Sequence, residues 1–189
     1  LEVIPLDAPN HVHLRHSEKV VARYRLIPEG GRMPPPAQLP AEIRRKNFGN
    51  TYKRLHRERP SLTLVPGNNA FPVHPTEHRS LSPREAARIQ GFPDDYRFEG
   101  SRAEQCRLVG NAVPVLLAQR IGEAVLRHIR ASARPVAAGI LPMAVEAETG
   151  VPMQIRSRPS GLNAVSFFTG IGGLALGFLN AGVHARASY

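Results

Sequence analysis

The chain has 189 residues, with 25 lysines and arginines against 15 acidic residues and a formal net charge of +10. That length suits one or two ordinary domains, and a balance this basic points to a polyanion such as nucleic acid or to an anionic membrane surface. A hydrophobic content of 42% excludes wholesale disorder, and no apolar run nears the roughly 20 residues of a membrane span. The single cysteine excludes an intramolecular disulfide framework and fits a reducing, cytoplasmic setting.

In chain order, residues 1–43 carry weak signals. Val20, Val21, Tyr24 and Leu26 suit a short helix, and Pro34, Pro35, Pro36 and Pro40 forbid regular structure after it. His11, His13 and His16 have the look of a metal cluster, yet no Cys or carboxylate stands at ligand spacing beside them in the sequence. Solvated loop histidines are the expectation, and no metal site is assigned. Next comes a basic run: Arg44, Arg45, Lys46, Lys53, Arg54, Arg57 and Arg59 against the one acid Glu58, followed by residues 61–78 with no Lys or Arg.

Ser61-Leu62-Thr63-Leu64-Val65 alternates as a strand would, and Pro66-Gly67-Asn68-Asn69 reads as a turn. Ser82-Pro83-Arg84-Glu85 is a capping box with proline at the first helical position, predicting a helix that stops at Gly91-Phe92-Pro93. A second helix is predicted from Asn111 as N-cap, with Pro114 in its first turn. Its apolar positions Val113, Leu116, Leu117, Ile121, Ala124, Val125 and Ile129 follow the 3.6 period, so it needs a partner to cover that stripe. Residues 131–162, with four prolines and no periodicity, read as a linker.

After it, Ala164-Val165-Ser166-Phe167-Phe168 reads as a buried strand and Thr169-Gly170-Ile171-Gly172-Gly173 as a glycine turn. A helix follows from Leu174, then a strand near 181–185. That order opens a nucleotide-binding βαβ unit. Glycines lacking Cβ let a cofactor approach the backbone, although a tight packing turn has the same signature. No Lys-Ser/Thr pair follows, which argues against a phosphate-binding P-loop and for a cofactor without phosphate.

The string Arg79-Ser80-Leu81-Ser82-Pro83-Arg84-Glu85-Ala86-Ala87-Arg88-Ile89-Gln90-Gly91-Phe92-Pro93-Asp94 is far more specific, as is Val109-Gly110-Asn111-Ala112-Val113-Pro114. Together they resemble the ninth and tenth motifs of the DNA (cytosine-5) methyltransferases. Thr51-Tyr52-Lys53-Arg54-Leu55 and Arg59-Pro60-Ser61-Leu62-Thr63 look like the segment before the ninth motif. Phe168-Thr169-Gly170-Ile171-Gly172-Gly173-Leu174 is similar to the first motif, which binds S-adenosyl-L-methionine. The resemblance covers residues 47–130 and 163–189.

It implies an α/β fold: part of a Rossmann-like methyltransferase domain plus a small target-recognition domain. Recognition would occupy residues 1–110, the tenth-motif helix 111–130, the linker 131–162 and the start of the donor domain 163–189. Phe168, Thr169, Gly170, Gly172, Gly173 and Leu174 would line the donor pocket, closed by Asn111 and Ala112. Arg84 and Glu85 would organise the small domain. Arg44, Arg45, Lys46, Lys53 and Arg54 are the candidate phosphate contacts on double-stranded DNA, from which the target base would be flipped.

Three departures qualify the resemblance. The tenth motif precedes the first, as in circularly permuted members. Leu108 and Val115 stand where the family often has glutamine and proline. Above all, the family attacks cytosine C6 with a Pro-Cys thiolate, assisted by Glu-Asn-Val and an Arg-rich motif, and none of these occurs here. Cys106, in Glu104-Gln105-Cys106-Arg107, matches no catalytic position, so packing is its expected role and no catalytic residue is assigned. The expectation is a portion of a methyltransferase of a restriction-modification system, its catalytic half supplied in cis or in trans. A non-catalytic DNA-binding subunit of a split enzyme and a decayed remnant are the alternatives.

Overall fold

The computed structural model describes residues 4–5, 7–65, 71–131, 163–166 and 173–188. They fall into two compact units, Leu1–Asn111 and Ala112–Tyr189.

The first unit is mostly irregular chain clamped by three short helices. α1 spans Glu18–Arg25, with Glu18 in its first turn and Arg23 and Arg25 in its last, each charge matched to the helix dipole. Three of the four apolar residues expected on a helix here lie in it; Leu26 is its C-cap and is exposed. Tyr24 enters a core with Ile27, Met33, Leu39, Tyr52 and Val73, flanked by Val20 and Phe48. Isolated bridges join Arg32 to Lys53, Arg54 to Val73 and Val73 to Ser80, a ribbon that never lengthens into strands. The strand expected over 61–65 does not form: the segment is irregular and only Leu64 is buried. A strand needs an open edge to pair with, and Val73 already has a partner on each side. The turn expected over 66–69 lies outside the described residues.

α2, Pro83–Ile89, has the capping box expected of it: Glu85 N–H donates to Ser82 Oγ (3.1 Å) and Ser82 N–H to Glu85 Oε2 (2.7 Å). It ends where Gly91 takes φ +81°, a conformation that favours glycine. A helix not foreseen, α3, spans Arg102–Asn111. It too opens on a box, since Ser101 N–H donates to Glu104 Oε2 (2.7 Å) and Glu104 N–H to Ser101 Oγ (3.4 Å). Ser101-x-x-Glu104 was the available signal.

In the second unit α4, Val115–Ala131, starts later than predicted. Asn111 is not its N-cap but the last residue of α3, because the residue before Pro114 is sterically driven from helical geometry. The first bond of α4 runs from Ala118 N–H to the Pro114 carbonyl (3.0 Å). β1, Asn163–Ser166, and β2, His184–Ser188, pair in parallel with an irregularity between Ala164 and Val165. α5, Gly173–Asn180, connects them, so strand, helix and strand follow in the order expected.

Candidate functional site

α4 and α5 meet through small residues. A Cβ built on Gly177 would lie 2.4 Å from Ala118 Cβ and 2.5 Å from the Val115 carbonyl oxygen. One built on Gly122 would lie 3.0 Å from Ala181 Cβ. Ala118/Gly122 and Gly177/Ala181, each four apart, form the contact face. α4 therefore packs closely on α5. Of the expected donor residues, Gly173 is buried and Leu174 half-buried at the start of α5. Ala112 is half-buried and Asn111 exposed. Phe168, Thr169, Gly170 and Gly172 lie outside the described residues.

Among the described residues, only one edge of α4's apolar stripe is covered. Val115, Ala118, Gly122 and Leu126 are buried, whereas Leu117 (53%), Ile121 (43%) and Val125 (44%) stay exposed. At 100° per residue, these two rows sit side by side on the helix. Singly exposed apolar residues are ordinary, but a contiguous row marks an interface.

Two buried arginines organise the first unit. Arg84, fully buried on α2, donates Nε–H to the Pro9 carbonyl (2.8 Å) and Nη1–H to Pro93 (2.8 Å). Its Nη2 reaches Asn10 Oδ1 (3.3 Å) and the Tyr96 carbonyl, and the guanidinium lies over the Phe98 ring at 5.0 Å. Asn10, at φ 65°, itself brackets Phe98 through both backbone groups. Arg84 thus ties the N-terminal segment to the 93–98 turn, as an organising residue would.

Arg54 corrects an expectation. It is 4% exposed, and its donors go to the carbonyls of Ile27 (2.7 Å), Tyr24 (2.7 Å), His74 (2.6 Å) and Glu77 (2.6 Å). A guanidinium spent on main-chain oxygens does not face a phosphate. Arg44, Arg45 and Lys46 are exposed and Lys53 half-buried. Arg44 also donates Nη2–H to Leu39 O (2.9 Å), which anchors the start of that run.

Glu85 gathers the charges of the ninth-motif segment. Arg79 grips it with both terminal nitrogens (2.7 and 2.8 Å) and also holds Glu77 (2.8 Å). Burial pushes the Glu85 carboxyl up, but the bonds from Arg79 and Ser82 outweigh it and hold it below the usual range. Of the three histidines expected to be solvated, His13 is exposed, but His11 and His16 are half-buried and hydrogen-bonded. His11 Nδ1 pairs with Ser82 Oγ (2.9 Å), and His16 Nε2 accepts from Ser80 N–H (3.2 Å). Burial lowers the pKa of both. Potential ligand atoms of His11, His13 and Glu85 lie within 4.8 Å of one another, so folding supplies the carboxylate missing from the local sequence. Both Glu85 oxygens, however, already accept from Arg79. This is a hydrogen-bonded anchor for the N-terminal segment.

Cys106 is buried on α3, and burial pushes its thiol up despite the opposing field of Arg102. An activated nucleophile needs the opposite shift.

The sequence matches the C-5 cytosine-specific DNA methylase family over residues 10–127, more than half its length. The chain belongs to that family. The match holds the ninth- and tenth-motif strings and ends before β1. Among curated relatives, it is 38% identical over 145 residues to type II methyltransferase M.PspPI of Psychrobacter sp., covering 71% of this chain and 35% of the relative. It is 39% identical over 129 residues to type II methyltransferase M.BbvI of Brevibacillus brevis, covering 66% and 34%. The chain thus spans about a third of these relatives. Type II methyltransferase M.AquIB of Picosynechococcus sp. differs: 34% identity over 140 residues takes in 68% of this chain and 95% of that protein. Among the described residues, no helix is long and apolar enough to cross a membrane.

Proposed function

We propose that this chain is the DNA-recognition portion of a circularly permuted DNA (cytosine-5) methyltransferase, carrying the tenth- and first-motif parts of its donor site. The observation that carries the reading is the family match across the Arg84/Glu85 scaffold and α4, in a sequence whose one cysteine is buried and outside any Pro-Cys. The nucleophile must come from elsewhere, in cis or in trans.

Residues 1–110 present the duplex-facing surface, with Arg44, Arg45, Lys46 and Lys53 on phosphates. S-adenosylmethionine, when bound, supplies the methyl group. The described part of its site fits: α5 begins at Gly173 with no charged residue in its eight, which suits a donor without phosphate. Phe168, Thr169, Gly170, Gly172, Gly173 and Leu174 line the pocket, and Asn111 and Ala112 close it. The open row Leu117, Ile121 and Val125 receives the remaining catalytic body, and the length missing relative to M.PspPI and M.BbvI provides that occupant. A separate polypeptide as the carrier of that body is favoured by M.AquIB, a relative of similar span.

Plasmid DNA incubated with the purified chain and labelled S-adenosylmethionine stays unmethylated. Measurable label in cytosine C5 refutes the absence of a reaction centre. A chain that binds no duplex at low salt refutes the recognition role.

A further inference from the structure

The first unit contains a cavity of about 260 Å³ that the assigned residues do not use. Its apolar lining is Leu55, Pro75 and Ile89, and its polar lining His56, Arg57, Arg59 and Ser61. The walls are pinned. Leu55 N–H donates to Val73 O (3.0 Å) and its carbonyl accepts from Gly30 N–H (3.2 Å). Pro75 follows His74, whose carbonyl Arg54 holds, and Ile89 ends α2.

The two arginines differ. Arg57 is locked by Glu29 through Nε (3.0 Å), Nη2 (3.2 Å) and its own backbone N–H (2.9 Å). That grip holds the Glu29 carboxyl down at about 2, so Arg57 stays neutralised. Arg59 is exposed and has no hydrogen-bond or ion-pair partner among the described residues. His56 Nδ1 accepts from Glu58 N–H (3.0 Å), which leaves Nε2–H as the ring's donor. Among the described residues, no carboxylate lines the space.

We infer that this cavity seats one deoxyribose-phosphate unit of the bound strand, with Arg59 and His56 Nε2–H on the phosphate and Leu55, Pro75 and Ile89 against the sugar. The volume is below the roughly 300–1,000 Å³ of small-molecule sites, so a whole donor molecule does not fit, whereas a single backbone unit does. An apolar floor with unspent donors at its rim suits a sugar-phosphate better than an acidic peptide, which needs partners for its own amides. The inference rests on the DNA-recognition reading above and adds a phosphate seat beyond the run that ends at Lys53.

The test is fluorescence anisotropy of the full chain with a labelled 24-base-pair duplex between 50 and 200 mM salt, comparing wild type, Arg59→Ala, Arg59→Lys and Arg97→Ala. Arg97 is an exposed arginine outside the cavity. Each phosphate contact adds about 0.9 to the log–log salt slope. Over a fourfold salt change, wild type therefore loses about 3.5-fold more affinity than Arg59→Ala. Arg59→Lys restores the slope, and Arg97→Ala leaves it unchanged. An Arg59→Ala slope equal to that of wild type overturns the inference and leaves the recognition role standing. Loss of inorganic-phosphate binding in Arg59→Ala with an unchanged duplex slope also overturns it, in favour of a free-anion site. No duplex binding by wild type at 50 mM salt overturns both.

Discussion

Gly177→Ala puts the α4–α5 contact to a direct test. The new methyl group would stand 2.4 Å from Ala118 Cβ, 2.5 Å from the Val115 carbonyl oxygen and 2.7 Å from Gln119 N. Carbon–carbon contacts settle at about 3.5–4.0 Å, so α5 must retreat by about 1 Å. Two of the three obstacles are backbone atoms, which cannot rotate aside. Overpacking of this kind costs about 1–3 kcal/mol, and alanine's better helix propensity returns about 1 kcal/mol of it. The two backbone obstacles place the cost at the upper end of that range, so the net expectation is a loss of about 2 kcal/mol.

Gly122→Ala is the internal control. Its Cβ would meet the Ala181 and Phe178 side chains at 3.0 and 3.3 Å, and Phe178 can shift. There the propensity gain of about 1 kcal/mol roughly cancels the crowding. Thermal unfolding of both variants, followed by far-ultraviolet circular dichroism, separates them. At about 2–4 °C per kcal/mol for a chain of this size, Gly177→Ala melts several degrees below Gly122→Ala. A Gly177→Ala protein as stable as wild type refutes the close crossing.

The Glu85 carboxylate, held below its ordinary pKa, contributes stability that is present above the unfolded carboxylate value and lost as pH falls through the lower folded one. Glu85→Gln therefore destabilises the first unit at pH 7 and flattens its loss of stability in acid; urea midpoints at pH 7 and in acid check this, and an unchanged acid slope contradicts it. Arg84→Lys keeps the charge but loses the planar fork. It leaves at least one of the Pro9, Pro93 and Tyr96 carbonyls unpaired, at about 1–3 kcal/mol each, and lowers the melting temperature of the first unit. Wild-type stability in that variant refutes the tethering role of Arg84.

Local chemistry explains which elements were legible. The Ser82/Glu85 box, Pro83 and Gly91 are short-range signals that act within one turn, and α2 begins and ends where they stand. The start of α4 was misplaced because Asn111 is a good N-cap by type, while the steric effect of Pro114 on its neighbour decides the boundary. The strand at 61–65 alternates correctly but needs an unfilled neighbouring edge, which is a property of the whole ribbon. At the site, Arg54 stands between Lys53 and Arg57 in one basic run, with nothing local to mark it as interior.

By itself the sequence determined the family, through the ninth- and tenth-motif strings, and the absence from this chain of the Pro-Cys nucleophile, because both depend on which residues are present and in what order. Its +10 charge also pointed to a polyanion, nucleic acid or an anionic membrane surface, since net charge is a sum that folding does not change. Tertiary structure alone decided where that charge is usable. Folding buries Arg54 among carbonyls, neutralises Arg57 with Glu29, leaves Arg59 at the rim of a cavity and brings His11 and Arg79 to Glu85. A guanidinium's availability depends on the oxygens within about 3 Å of it, and for these arginines most of those oxygens come from distant parts of the chain.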